Sequence, residues 1–250
     1  MLASMLEALI FDVDGTLADT ERDGHRPAFN AAFAEAGLDW RWDEALYGEL
    51  LEVTGGKERL RFHAERHDRD FLRQKDVAAR IAALHAAKTR HYLALLEAGG
   101  IPMLPGVARL IDEARAAGLR LAISTTTTPE NVAALLRASL AQDAEDWFEV
   151  IGAGDVVPAK KPAPDIYLWV LEKLKLPASA CLAVEDSVNG LRAALAAGLP
   201  TLVCEADYSR GAHFDGALAV VPSLAGTSLA RLRRLHERKV ATASRTELHE

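Results

Sequence analysis

Asp12 and Asp14 stand one residue apart in Phe11-Asp12-Val13-Asp14-Gly15-Thr16-Leu17, directly after the apolar run ALIF. Two carboxylates that close, beside a glycine that lets the backbone turn sharply, can share one site. Such a pair can bind a divalent cation through hard oxygen ligands, or divide labour with one acid ionised and the other protonated. An Asx-rich turn closing a strand would give the same string. Three more polar groups follow apolar runs. Ser124-Thr125-Thr126 comes after LRLAI, where hydroxyls and free N–H groups suit phosphate oxygens if a helix begins near Pro129; a Ser/Thr-rich turn is the plainer alternative. In Lys160-Lys161-Pro162-Ala163-Pro164-Asp165 the prolines stiffen the segment that presents a lysine, which can pair with a carboxylate and with phosphate, or be merely solvated. Glu185-Asp186-Ser187, followed by Asn189-Gly190, sets two adjacent acids after CLAV. They repel unless a cation or hydrogen bonds compensate, although Asp186 or Ser187 can also serve as a helix N-cap.

These groups need elements to hold them. Apolar runs at Leu6–Phe11, Leu119–Thr125, Val150–Ala153, Cys181–Glu185, Thr201–Cys204 and Ala219–Val221 read as buried strands. Helical patterns at Val107–Ala117, Pro129–Arg137, Asp165–Lys175 and Ser187–Ala197 alternate with them, punctuated by Gly118, Pro129 and Gly198-Leu199-Pro200. That alternation implies an α/β fold with a doubly wound parallel sheet and helices on both faces. From about Thr20 to Glu97 no strand is expected, only amphipathic helices at Pro27–Ala36, Glu44–Leu51, Lys57–Arg66 and Val77–Leu96, closed by the connector Ala98–Gly106. The expected division is a core of residues 1–19 and 102–250 with an inserted helical cap over residues 20–101. Ligands of open α/β sheets bind beyond the carboxyl ends of the strands, under such an insertion.

The bulk properties bound the function. With 250 residues the chain can bury a full core, and its net charge of −7 argues against a nucleic-acid partner, which needs a basic face. No apolar run reaches the length of a membrane span, and MLASMLEALIFDVDG lacks the basic start of a signal peptide. Cys181 and Cys204, both in apolar runs, read as reduced core thiols, so a cytoplasmic setting and no membrane partner are expected. The final stretch ERKVATASRTELHE reads as a frayed tail.

The four polar groups together, in this order and each at the exit of its own strand, resemble the haloacid-dehalogenase-like superfamily, a Rossmann-like fold. FDVDGTL, KPAPD and VEDSVNG carry the match over nearly the whole chain. The resemblance implies that Asp12 is the nucleophile forming an aspartyl-phosphate and Asp14 the general acid and base. It also implies Mg²⁺ held by Asp12, the main-chain carbonyl of Asp14 and Asp186, with Glu185 as ligand or outer partner. Ser124 and Lys161, with Thr125 and Thr126 alongside, would bind the transferring phosphoryl group. Dehalogenases expel a halide and need no proton donor, so Asp14 favours phosphoryl transfer. No GxGxxG follows the first strand, which disfavours a dinucleotide site, and a non-catalytic phospho-accepting module would not carry the helical insertion.

The place of the insertion, and LADTERDGHRPAFN at its start, resemble the subgroup of β-phosphoglucomutases and CbbY-type phosphatases. VTGGKERL is most similar to the latter, which implies xylulose-1,5-bisphosphate as substrate in rubisco-containing organisms; a sugar phosphomutase is the alternative. A bisphosphate needs cations for its distal phosphate. The candidates are Lys57, with Thr54 and the N–H groups of Gly55 and Gly56, and Lys88, with Arg61 and Arg90 behind them. Glu21 would accept sugar hydroxyls. His25, His63, His67, His85 and His91 read as helix-surface or packing residues, since no pair has metal spacing. The chain is expected to work as a monomer on a small phosphorylated sugar.

Overall fold

The computed structural model describes residues 5–246. Its six parallel strands are β1 (Ala8–Phe11), β2 (Arg120–Ser124), β3 (Val150–Gly152), β4 (Cys181–Glu185), β5 (Thr201–Cys204) and β6 (Ala219–Val221), in the order β3-β2-β1-β4-β5-β6. All six lie where apolar runs predict them. The chain winds outward from β1 to β3, then returns to β4 and winds the other way. The order therefore reverses where β1 lies against β4, and a crevice opens there beyond the strand ends.

Side-chain alternation splits the strands between two apolar layers. Leu9, Phe11, Ile123 and Val184 face α6 (Val107–Ala116), α7 (Pro129–Ser139) and α10 (Leu229–Thr246). Ile10, Ala122 and Ala183 face α8 (Asp165–Leu174) and α9 (Val188–Ala196). Burial on both faces explains the near-continuous apolar character of these strands. Cys181 and Cys204 are free, buried thiols of this interior.

Between β1 and β2 the chain forms a π-helical turn at Glu21–His25 and then α1 (Arg26–Glu35), α2 (Glu44–Leu50), α3 (Gly56–His67), α4 (Arg69–Leu72) and α5 (Val77–Glu97), with no strand among the described residues. These helices enclose an apolar cluster of their own around Phe29, Phe33, Trp42, Tyr47 and Phe71. The outgoing and returning chains run side by side, Leu104 N–H donating to Leu17 O at 2.8 Å. Among the described residues no helix is long and apolar enough to cross a membrane.

The expected frayed tail needs correcting. α10, anchored by the buried Leu229, Leu232 and His236 ahead of that stretch, runs unbroken through Thr246 and so takes in residues 237–246 of it. Residues 247–250 of that tail, like residues 1–4, lie outside the described residues.

His63 gives the helical cluster an acid-sensitive member. It packs edge-on to Trp40 and Trp42 and stacks on His67. Burial, and then the neighbouring His67, push its pKa from 6.5 to about 4. Between those values the unfolded chain binds more protons than the folded one, so stability is complete above pH 6.5 and declines as pH falls towards 4. Unfolding free energies from urea titrations at pH 7 and pH 5 are expected to differ by about 1–2 kcal/mol on account of this residue, and His63→Phe should remove that contribution.

Candidate active site

Strand register assembles the site. Phe11 pairs with Ile123 on one side and Val184 on the other, so the next residues along, Asp12, Ser124 and Glu185, align across three adjacent strand ends. Lys161 comes from the loop before α8 and joins all three. Its Nζ donates to Asp12 Oδ1 at 2.7 Å, to the Ser124 carbonyl at 2.8 Å and to Glu185 Oε1 at 2.5 Å. Tyr167 on α8 donates a further hydrogen bond to Glu185 Oε1, at 2.6 Å. Burial pushes the pKa of Lys161 down, but Asp12 and Glu185 outweigh it and raise it above the usual lysine value. Among the hydrogen bonds and ion pairs described, this ammonium is the one cation in direct contact with the group.

One cation does not balance these acids. Asp12, Glu185 and Asp186 are all buried, and each offers an oxygen within 4.8 Å of the others. Burial first, then the neighbouring carboxylates, raise the pKa of Asp186 well above the carboxylate range. Asp12 is likewise raised, by burial first, with Lys161 opposing. Converging hard oxygen ligands with excess negative charge fit a divalent cation of the magnesium or calcium type. Two glycines make the arrangement possible. Gly15 has φ +83°, and a Cβ there would lie 2.2 Å from Asp186 Oδ2. A Cβ on Gly190 would lie 1.8 Å from Glu185 Oε2.

Asp14 is treated differently from Asp12. Its Oδ1 accepts from Thr20 Oγ1 at 2.5 Å and pairs with His25 Nε2 at 2.9 Å. Burial pushes its pKa up, but His25 and Thr20 prevail and hold it at about 2. The two aspartates of one motif are thus driven apart in acidity. His25, read from the sequence as a packing residue, is in fact buried against Asp14, with its ring 4.4 Å from that of Tyr92. Its i,i+5 offset from Thr20 across a π-helical turn breaks the usual helical phase, which hid the partnership.

Above the strand ends opens a cleft of ≈ 470 Å³, lined from below by Asp12, Lys161 and Asp186 and from the helical block by Glu21, Thr54 and Arg59. Thr126 also faces it, whereas Thr125 is buried with its Oγ1 accepting from Thr127 N–H at 3.2 Å. Glu21 accepts from the Tyr47 hydroxyl, which in turn accepts from Arg59 at 2.8 Å. A narrow extension of the cleft reaches Gly55, Gly56 and the buried Lys88. Burial lowers the pKa of Lys88 to about 8, with Asp14 and Glu21 opposing that fall.

Three expected cap cations do not face this cleft. Lys57 pairs with Asp155 at 2.7 Å, Arg90 pairs with Glu35 at 2.5 Å, and Arg61 is exposed. Helical phase is the reason. Lys57 and Arg61 lie one turn apart on one face of α3, whereas Arg59 projects about 200° from Lys57, with the buried Leu60, His63 and Ala64. On α5 the same two-residue offset turns Lys88 inward and Arg90 outward. Arg59 was missed, and the apolar face of α3 was the signal that marks it.

A sequence profile of haloacid dehalogenase-like hydrolases matches residues 6–198. The CbbY protein encoded on a plasmid of Cupriavidus necator is 57% identical over 219 residues, covering 88% of this chain and 86% of its own length. The crystal structure of CbbY from Rhodobacter sphaeroides with phosphate is 47% identical, with a TM-score of 0.82 over 91% of this chain and 99% of that one. A mutant form of that protein, solved in complex with xylulose-(1,5)bisphosphate, gives a TM-score of 0.83 at the same identity and coverage. The chain therefore belongs to the haloacid dehalogenase-like hydrolases, in their CbbY-like subgroup.

Gly190→Ala tests the packing beneath the acids. The added methyl must displace Glu185 from Lys161 and Tyr167, leaving buried charges without partners. A loss of about 3 kcal/mol or more is expected, read as a fall of several degrees in Tm, although alanine favours the helix.

Proposed function

We propose that the protein is a Mg²⁺-dependent phosphatase that removes one phosphate from a small sugar bisphosphate, xylulose-1,5-bisphosphate foremost, through an aspartyl-phosphate on Asp12. The observation that carries this reading is a cleft with cations at two separate places: Lys161 beside Asp12, and Arg59 with Lys88 on the helical side. A monophosphate needs only the first. A bisphosphate, such as the xylulose-(1,5)bisphosphate in complex with the Rhodobacter sphaeroides relative, carries a second phosphate that the second place would meet.

In this reading Asp12 attacks phosphorus as the bond to the sugar oxygen breaks, and the leaving oxygen takes a proton from Asp14. His25, 2.9 Å from Asp14, is placed to exchange that proton. Asp14, left ionised by that transfer, then draws a proton from water as the water attacks the aspartyl-phosphate, releasing phosphate and restoring Asp12. Lys161 and the N–H and hydroxyl groups of Ser124–Thr126 carry the charge on the transferring group. Asp12, Asp186 and the main-chain carbonyl of Asp14 would hold Mg²⁺, with Glu185 positioned through Lys161 and Tyr167. When bound, the ion lowers the repulsion between carboxylate and phosphate and stabilises the equatorial oxygens. Residues 20–101 act as a cap over the core of residues 1–19 and 102–250, closing to exclude water and bringing Glu21, Arg59 and Lys88 to the sugar. The two free thiols accord with a cytoplasmic setting.

A phosphate-release screen over sugar mono- and bisphosphates with Mg²⁺ tests the assignment. Xylulose-1,5-bisphosphate is expected to lead, and chelation of the metal to abolish release. Arg59→Ala should raise KM for the bisphosphate about tenfold or more, with a smaller effect on monophosphates. Monophosphates outrunning every bisphosphate would overturn the substrate. Interconversion of glucose 1- and 6-phosphates without phosphate release would replace hydrolysis with a mutase reaction.

A further inference from the structure

The loop that enters α3 is tethered to the core at both ends. At one end Asn189 Nδ2 donates to the Glu52 carbonyl at 3.1 Å and to Thr54 Oγ1 at 3.2 Å. At the other, Asp155 is shared by two lysines from different parts of the fold. Lys57 of α3 takes Oδ2 at 2.7 Å, while Lys160 takes Oδ1 at 2.7 Å and also donates to the Gly154 carbonyl. The two lysines hold Asp155 at a pKa of about 2. The core anchors adjoin the reacting groups: Lys160 precedes Lys161, and Asn189, in the first turn of α9, lies three residues beyond Asp186. Two residues past Lys57 stands Arg59, on the cleft side.

We propose that Lys57, Asp155 and Lys160 form an electrostatic latch that fixes the α3 entry loop against the core, making Lys57 and Asp155 determinants of bisphosphate affinity without touching the substrate. The proposal rests on the phosphatase reading for its substrate. Lys57 projects away from the cleft by the phase of α3, so its charge serves the closed arrangement and Arg59 meets the ligand. The Lys57 and Asp155 side chains are 45% and 68% exposed, so water and salt screen the pair and keep it weak. Weakness suits a latch that must open at each turnover. Gly55 and Gly56, between the two tethers, leave that segment free to move once it is released. Unlatching lowers the fraction of molecules ready to bind, which raises KM and leaves kcat intact.

Lys57→Met, Asp155→Asn and the double variant test this with xylulose-1,5-bisphosphate, with p-nitrophenyl phosphate, and by hydrogen exchange over residues 51–57 of the unliganded protein. Each single variant is expected to raise KM for the bisphosphate about threefold with kcat unchanged, and the double variant to be no worse than either. Hydrolysis of p-nitrophenyl phosphate should stay constant, and exchange over the loop should quicken in all three. If Lys57→Met raises KM as much in the Asp155→Asn background as in the wild type, Lys57 binds phosphate directly and the latch is refuted. Unchanged exchange in Asp155→Asn refutes it as well. Wild-type protein that releases no phosphate from the bisphosphate would end the phosphatase reading, and the exchange measurement would still decide the latch.

Discussion

A buried ammonium shared among carboxylates is the interaction on which the rest of this structure depends. Lys161 bonds Asp12, Glu185 and the end of β2 at once, and so ties the three central strands together where the sheet order reverses. Without it, the acids brought together by strand register would repel one another in a dry interior. With it they remain short of positive charge, because Asp186 has no ion pair of its own among the described residues. A divalent cation would fill that deficit, and in doing so would let an anionic nucleophile approach an anionic substrate.

The helical block answers the core in kind. It sends Thr20 and His25 down to Asp14, so that one aspartate of the pair is acidified while the other is raised by burial and by its neighbours. The same block turns Arg59 and Lys88 towards the cleft and keeps Lys57 and Arg90 in ion pairs at its edges. In the proposed phosphatase, recognition and chemistry would thus be split between two groups of side chains joined by two adjacent chain crossings, so that closure could decide when the acids meet a ligand.

Much of this was legible in the sequence, for a physical reason. Strands buried on both faces must be apolar along their length, and polar residues at their exits stand out against that background, so Asp12, Ser124, Glu185 and Asp186 were legible at strand exits, while Lys161, nine residues beyond the end of β3, was marked by the family resemblance. The helical block yielded less. Its helices were plain from periodicity, but which side of each faced the cleft depended on packing between helices. Proximity in sequence to Gly55 and Gly56 favoured Lys57, whereas helical phase shared with Leu60, His63 and Ala64 favoured Arg59. His25 escaped because a π-helical turn shifts it out of ordinary register. The end of the chain escaped because the sequence beyond Leu229, Leu232 and His236 turns polar, although α10 continues through Thr246.

Charge compensation around Asp12 serves the proposed reaction only if that carboxylate becomes covalently phosphorylated. Rapid acid quenching during turnover, with xylulose-1,5-bisphosphate labelled on both phosphates, followed by peptide mapping, examines this directly. The account predicts label on the peptide containing Asp12, appearing within one turnover and decaying as free phosphate forms. Full turnover with no label on that peptide at any time, under conditions that preserve acyl phosphates, would contradict it.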